Sequence, residues 1–242
     1  GEQMGWGVGD DLSDGYELSS GAKHFLDSKP SAAAWNILAE QLASRLAQDR
    51  STKNQGTFSD TFQRDRLSNW LILALERAGR CEDIIPLCLQ EAERIGSYLR
   101  LIEQFKKSKR WEEAEQWIHK GIAATEKRWP GIAGQLRTAF REIRERAQDW
   151  LLVAALRADD FFREPSLQTF QALQKAARRA GAGPAIRAAA MHYLETGAVP
   201  QPTARMVQDQ TIPPWPLPES GLKNTTEPPP NHPPRPETLI PI

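Results

Sequence analysis

Arg137, Arg141 and Arg144 are the residues of this chain whose type and spacing best suit a ligand. At i, i+4 and i+7 they share one face of a helix, and a row of guanidinium forks there suits carboxylates. These three arginines are the candidate contacts for an acidic partner. The remaining reactive side chains form no catalytic or metal-binding pattern. His24, His119, His192 and His232 lie in separate segments, and no two have a metal-ligand spacing with each other or with a cysteine. There is no phosphate-cradling G-x-x-x-x-G-K-[ST] and no G-x-G-x-x-G after a strand. The glycines of GWGVG at residues 5–9 have no strand before them and no helix directly after. The sequence therefore predicts no catalytic residue, no metal ligand and no cofactor, and points to a role other than that of an enzyme.

Adjacent acids occur at Glu82-Asp83, Glu112-Glu113 and Asp159-Asp160. The first two pairs sit where helices begin, and there the helix dipole favours negative charge. Asp159-Asp160 falls late in a helix, without that benefit, and the expected partner is Arg163, one turn beyond Asp159. Cys81 and Cys88, seven residues apart on a helix, stand about 10 Å from each other, too far for an unstrained disulfide. They are expected to be buried thiols of a reducing, cytoplasmic compartment. Trp70, Trp111, Trp117, Trp129 and Trp150 occupy apolar positions in or beside helices and are expected to anchor the core at hairpin junctions.

The elements that must position these groups are helices. With 242 residues, 40% hydrophobic and 26% charged, the chain can bury a substantial core without disulfide or metal staples. No apolar run approaches the ~20 residues of a membrane span. Net charge is zero but uneven: residues 1–60 hold 5 Lys/Arg against 9 Asp/Glu, and residues 128–187 hold 11 against 6. A basic half of that kind makes nucleic acid the alternative partner, although Glu142 and Glu145 interrupt it.

Proline divides the chain into three regions. Residues 1–30 are Gly- and Asp-rich and read as an extended segment. Residues 31–196 hold four of the 18 prolines and form a helical repeat domain; residues 197–242 hold thirteen and form an extended, polyproline-like tail. In the middle region, Pro30-Ser31 opens a helix with Trp35, Leu38, Leu42 and Leu46 at helical spacing. Four helix pairs follow: Phe58–Ala78 with the segment after Glu82, Ile95–Lys107 with Trp111–Thr125, Ile132–Ala147 with Gln148–Phe162, and Leu167–Ala180 with Pro184–Thr196. Their turns at Cys81, Trp111, Trp150 and Gly183 are spaced by 30, 39 and 33 residues, near the periods of tetratricopeptide and longer helix-turn-helix repeats. The expected architecture is all-α: a tetratricopeptide-like superhelix (α-solenoid) of hairpins. Its concave groove, lined by the first helix of each pair, would take a protein or peptide partner, or the chain's own proline-rich tail.

The stretch RADDFFREPSLQTFQALQKAARRAG, followed later by WPLPESG, resembles the C-terminal helical region of bacterial SWIM zinc-finger proteins. The matching residues are Ala158, Phe162, Pro165, Ser166, Leu167, Phe170, Leu173 and Ala176, then Trp215 to Pro218. The hairpins from about Phe58 onward are similar as well, so the resemblance extends over most of the chain. It implies the helical-repeat module of a larger zinc-finger protein. The C-x-C and C-x-H pairs that name the family are absent from this sequence, so the resemblance transfers no zinc or DNA contact to it. A start at Gly1 and a close on the apolar PETLIPI are what an excised piece of a longer polypeptide would show.

Overall fold

In the computed structural model the described residues are 27–48, 58–200 and 215–222. The GWGVG stretch, His24, His232 and the closing PETLIPI lie outside them. Among the described residues the regular elements are helical: α1 (Ala32–Gln48), α2 (Phe58–Ala78), a 3-10 turn at Cys81–Asp83, α3 (Ile84–Ile95), α4 (Tyr98–Lys107), α5 (Trp111–Thr125), α6 (Pro130–Arg146), α7 (Trp150–Arg163), α8 (Leu167–Arg179) and α9 (Gly183–Thr196). No helix among these residues is long and apolar enough to cross a membrane. The chain forms two compact units, Gly1–Thr125 and Glu126–Ile242. The boundary between the two units falls between α5 and α6.

In the first unit each helix packs against its neighbour in sequence, from α1 on α2 through α4 on α5. Ser31 opens α1 by accepting the Ala34 N–H on its hydroxyl at 3.3 Å. Trp35, Leu38, Leu42 and Leu46 form its buried stripe. Gly79 ends α2 at φ +80°, where the Arg80 N–H reaches back to the Leu75 carbonyl at 2.9 Å; a left-handed cap of this kind favours glycine. Pro86 sits in the first turn of α3, where the N–H it lacks has no helical partner anyway.

One boundary differs from the sequence reading. Ile95 closes α3 and does not open the next helix, because Gly96 at φ +76° reverses the chain and α4 begins only at Tyr98. The packing correspondingly couples α3 with α4 as closely as α4 with α5.

The core of the first unit contains an ion pair. Arg64 on α2 and Glu91 on α3 are 1% and 0% exposed. Arg64 donates through Nη2 to Glu91 Oε1 at 2.7 Å and through Nε to Oε2 at 2.9 Å. Its Nη1 donates to the Leu46 carbonyl at the end of α1, at 3.1 Å, and the Ser68 hydroxyl lies 3.3 Å from Glu91 Oε2. A bidentate pair with these extra bonds compensates for the loss of water around both charges and ties three helices together.

In the second unit α6 packs on α7, α7 on α8 and α8 on α9. The Asp149 carboxylate caps α7 by accepting the Leu152 N–H at 3.4 Å. Ser166 and Thr169 form a reciprocal capping box at the start of α8. The core is built on Val153, Ala154, Ala158, Phe161, Phe162, Phe170, Leu173, Ile186, Ala190 and Tyr193. Phe161 and Phe162 lie edge-on to Tyr193 at 6.0 and 4.9 Å between ring centroids, a geometry that opposes each ring's positive edge to its neighbour's negative face.

Candidate peptide-docking site

Of the proline-rich tail, residues 197–200 and 215–222 are described, and the latter stretch lies on the second unit's core. Trp215 is 8% exposed and Leu217 3%, and both belong to the cluster formed by α7, α8 and α9. The Trp215 ring stands 5.5 Å from Phe162, centroid to centroid. Phe162 in turn accepts the Tyr193 hydroxyl on its backbone carbonyl at 3.2 Å, which joins α7 to α9 beneath the tail. Pro216 and Pro218, between and after the two anchors, are exposed. Trp215 and Leu217 thus face the core while the prolines beside them face outward. Proline suits the outward positions because it needs no partner for an N–H.

A polar contact adjoins these anchors. Ser220 and the Asp159 carboxylate on α7 line the same cavity wall, and the Ser220 side chain favours the ionised carboxylate. Burial pushes the Asp159 carboxyl above its ordinary value, against Ser220 and the positive charges of Arg163 and Arg137. Beyond Ser220, Leu222 is buried and lines a small cleft with Arg137, Arg141, Asp159, Asp160 and Arg163.

The three arginines read as an acidic-partner site are placed on α6, and carboxylates of this chain already engage each of them. Arg137 pairs with Glu126, Arg141 donates to Asp160 Oδ2 at 2.7 Å, and Arg144 lies 3.6 Å from Asp149 Oδ2 and over the Phe140 ring. Arg137 and Arg141 are 14% and 13% exposed, so an acidic ligand would have to displace internal partners to reach them. Arg157 is 3.6 Å from Glu145, and Arg179 lies over Trp150. In the Asp159-Asp160 pair, Asp160 forms the ion pair, with Arg141, whereas Asp159 is favoured in its ionised form by Ser220 and feels Arg163 as a nearby charge.

Other placements depart from expectation. Cys88 is buried but Cys81, in the 3-10 turn, is exposed, because that turn stands off the core before α3 begins. Trp70, Trp111, Trp117 and Trp150 are half-buried and Trp129 is exposed, whereas Trp35 and Trp215 are buried. Trp117 and Trp129 support Lys120 and Arg128 on their faces, at 4.1 and 4.5 Å; a ring at the rim keeps one face against the fold and gives the other to a cation. His119 on α5 and His192 on α9 lie in different units. Among the described residues no group of three or more His, Cys, Asp or Glu side chains is placed to hold a metal ion.

Sequence reasoning did not find the roles of Trp215, Leu217 and Ser220. The available signal was the alternation of Trp and Leu with proline in an otherwise polar, apolar-poor tail. No family model matches this chain, and neither a curated protein nor a solved structure matches it.

Proposed function

We propose that this chain is a non-enzymatic protein-interaction scaffold, the helical-repeat module of a larger cytoplasmic protein of the SWIM zinc-finger kind, and that its hairpins are those of a tetratricopeptide-like array. The observation that carries the reading is the seating of Trp215 and Leu217 in the core of α7–α9. A helical surface that holds an extended segment through two apolar anchors performs, within one molecule, what a peptide-binding repeat does between two. The internal pairing of Arg137, Arg141, Arg144 and Arg157 favours a protein partner over nucleic acid, since phosphate contacts need cations that are free to release counterions.

The test is cross-linking of the native full-length polypeptide in its own cell extract, followed by reconstitution of any stoichiometric partner with this purified chain. A direct complex of the two purified proteins supports the scaffold. Anisotropy of labelled DNA or RNA that rises with this chain at low salt and collapses at moderate salt, without a reconstituted protein partner, would replace it with the nucleic-acid reading. Elemental analysis supplies an independent check on family: about one zinc per long polypeptide and none on this chain is the expected pattern.

A further inference from the structure

The second unit holds an open cavity of about 580 Å3, a volume in the range that takes a small organic molecule. Its wall is built by α7, by Val199 and Pro200 after α9, and by Trp215 with residues 218–222. Trp215 is 8% exposed and stands against Phe162, so this last segment is part of the wall and not the occupant. Alanines at 155 and 158, three apart on one face of α7, keep that side recessed. Two aromatic rings, Phe162 and Trp215, line the cavity with their centroids 5.5 Å apart. The charged side chains among the described lining residues are Asp159 and Glu219, both acids. Glu219 is exposed. Asp159 is drawn out of water: burial pushes its carboxyl above its ordinary value, and the charges of Arg163 and Arg137 do not bring it back. Those two arginines line the small cleft of about 10 Å3, to which Asp159 also belongs. Asp159 therefore meets its arginine neighbours in the small cleft, while among the described residues the large cavity supplies it with no cation.

We infer that this cavity binds a small organic cation, an ammonium or methylated ammonium group on an apolar body, with Phe162 and Trp215 meeting the cation and Asp159 balancing its charge. Aromatic rings attract a cation most strongly where water is partly excluded. A cation beside Asp159 also restores the ionised form that burial disfavours. An anion would enter against two like charges, and a neutral apolar molecule would fill the space without compensating Asp159. The volume is that of a whole small molecule, and a single side chain of a docked peptide would leave most of it empty. This site goes beyond the scaffold reading and does not depend on it.

The probe is benzyltrimethylammonium, with neopentylbenzene as its neutral isostere and phenylacetate as an anion of similar size. Each is titrated into the full chain while amide chemical shifts are followed by NMR. Benzyltrimethylammonium should shift amides of α7 and of residues 215–222 saturably and bind at least about tenfold more tightly than neopentylbenzene. Phenylacetate should leave those amides in place. Asp159→Asn, which keeps the side chain's shape and removes its charge, should weaken the cation at least about fivefold and leave the neutral isostere unchanged. Val199→Trp, at a half-buried position of the wall, should fill the cavity and abolish binding of both. Equal affinity for the cation and its isostere overturns the inference, as does a cation affinity that Asp159→Asn leaves unchanged. Saturable shifts confined to other residues, or none with benzyltrimethylammonium, overturn the site itself. Should Asp159→Asn lose its helical circular dichroism, Glu219→Gln at its exposed position replaces it, and cation binding unchanged by that variant at low ionic strength overturns the inference.

Discussion

Glu91→Ala is the substitution that most directly tests how the first unit is held together. It removes both acceptors of the Arg64 guanidinium, at 2.7 and 2.9 Å, from a site where Arg64 is 1% exposed. Arg64 keeps the Leu46 carbonyl at 3.1 Å, but that dipole cannot replace a carboxylate charge. Two hydrogen bonds to charged groups are worth about 1.5–3 kcal/mol each, and one-sided removal of a buried pair costs about 3–5 kcal/mol. The two routes agree on about 4 kcal/mol, a large part of the stability of a domain this size. Replacing both partners, as Arg64→Met with Glu91→Leu, leaves no stranded charge and similar volume, and should return to within about 1 kcal/mol of the unaltered chain. The assay is urea unfolding followed by hydrogen exchange in peptides from α2 and α3, so that the transition scored belongs to the first unit. A Glu91→Ala cost below about 1 kcal/mol, or a double variant as unstable as the single one, would refute the assignment of this pair as a major tie between α1, α2 and α3.

Three further outcomes are expected. Cys88, whose thiol burial pushes up to about 11, should resist alkylation until the chain unfolds, while exposed Cys81 reacts at once; peptide mapping after brief iodoacetamide treatment separates the two. Gly79→Ala should cost about 1–2 kcal/mol in a urea titration, because φ is +80° and a Cβ there meets no neighbour within 4 Å, so backbone strain is the main cost; Gly79→Asn should cost less. For Asp159 the native state holds its proton more tightly than the unfolded chain does. Its stabilising contribution is therefore present below the unfolded value near about 4 and is lost as pH rises through the higher folded value. Asp159→Asn, which keeps an acceptor oxygen, should flatten that part of the stability–pH profile of the second unit, and an unchanged profile would argue against burial of a carboxylate there.

Much of the helical framework was legible because its signals are local. The α1 stripe of Trp35, Leu38, Leu42 and Leu46 is a 3.6-residue period, Pro130 and Pro184 sit at or next to helix starts, and Gly79 sits just past a helix end. Gly96 was missed because Ile95 and Tyr98 on either side continue an apolar run, so the periodicity passes over a reversal made by one left-handed residue. The Arg64–Glu91 pair had a faint signal. Arg64 falls in register with Leu67, Leu71 and Leu75, and Glu91 with Ile84 and Cys88, so each is a charge on an apolar stripe. A single stripe does not say that the charge it carries will meet its opposite 27 residues away.

The sequence by itself determined that the described part of this protein is helical, where most helices begin and end, and which stripe of α1 faces inward. Propensity, capping and periodicity act within a few residues, and a linear reading contains them. Only the tertiary structure decided the rest. It placed Glu126, Asp160 and Asp149 against Arg137, Arg141 and Arg144, partners that no helical spacing announces. It also brought Trp215 and Leu217 out of a proline-rich stretch into contact with Phe162 and its neighbours. Which opposite charge or apolar ring a side chain meets depends on contacts distant in sequence, and loop closure leaves many such partners nearly equal in cost until the whole core is packed.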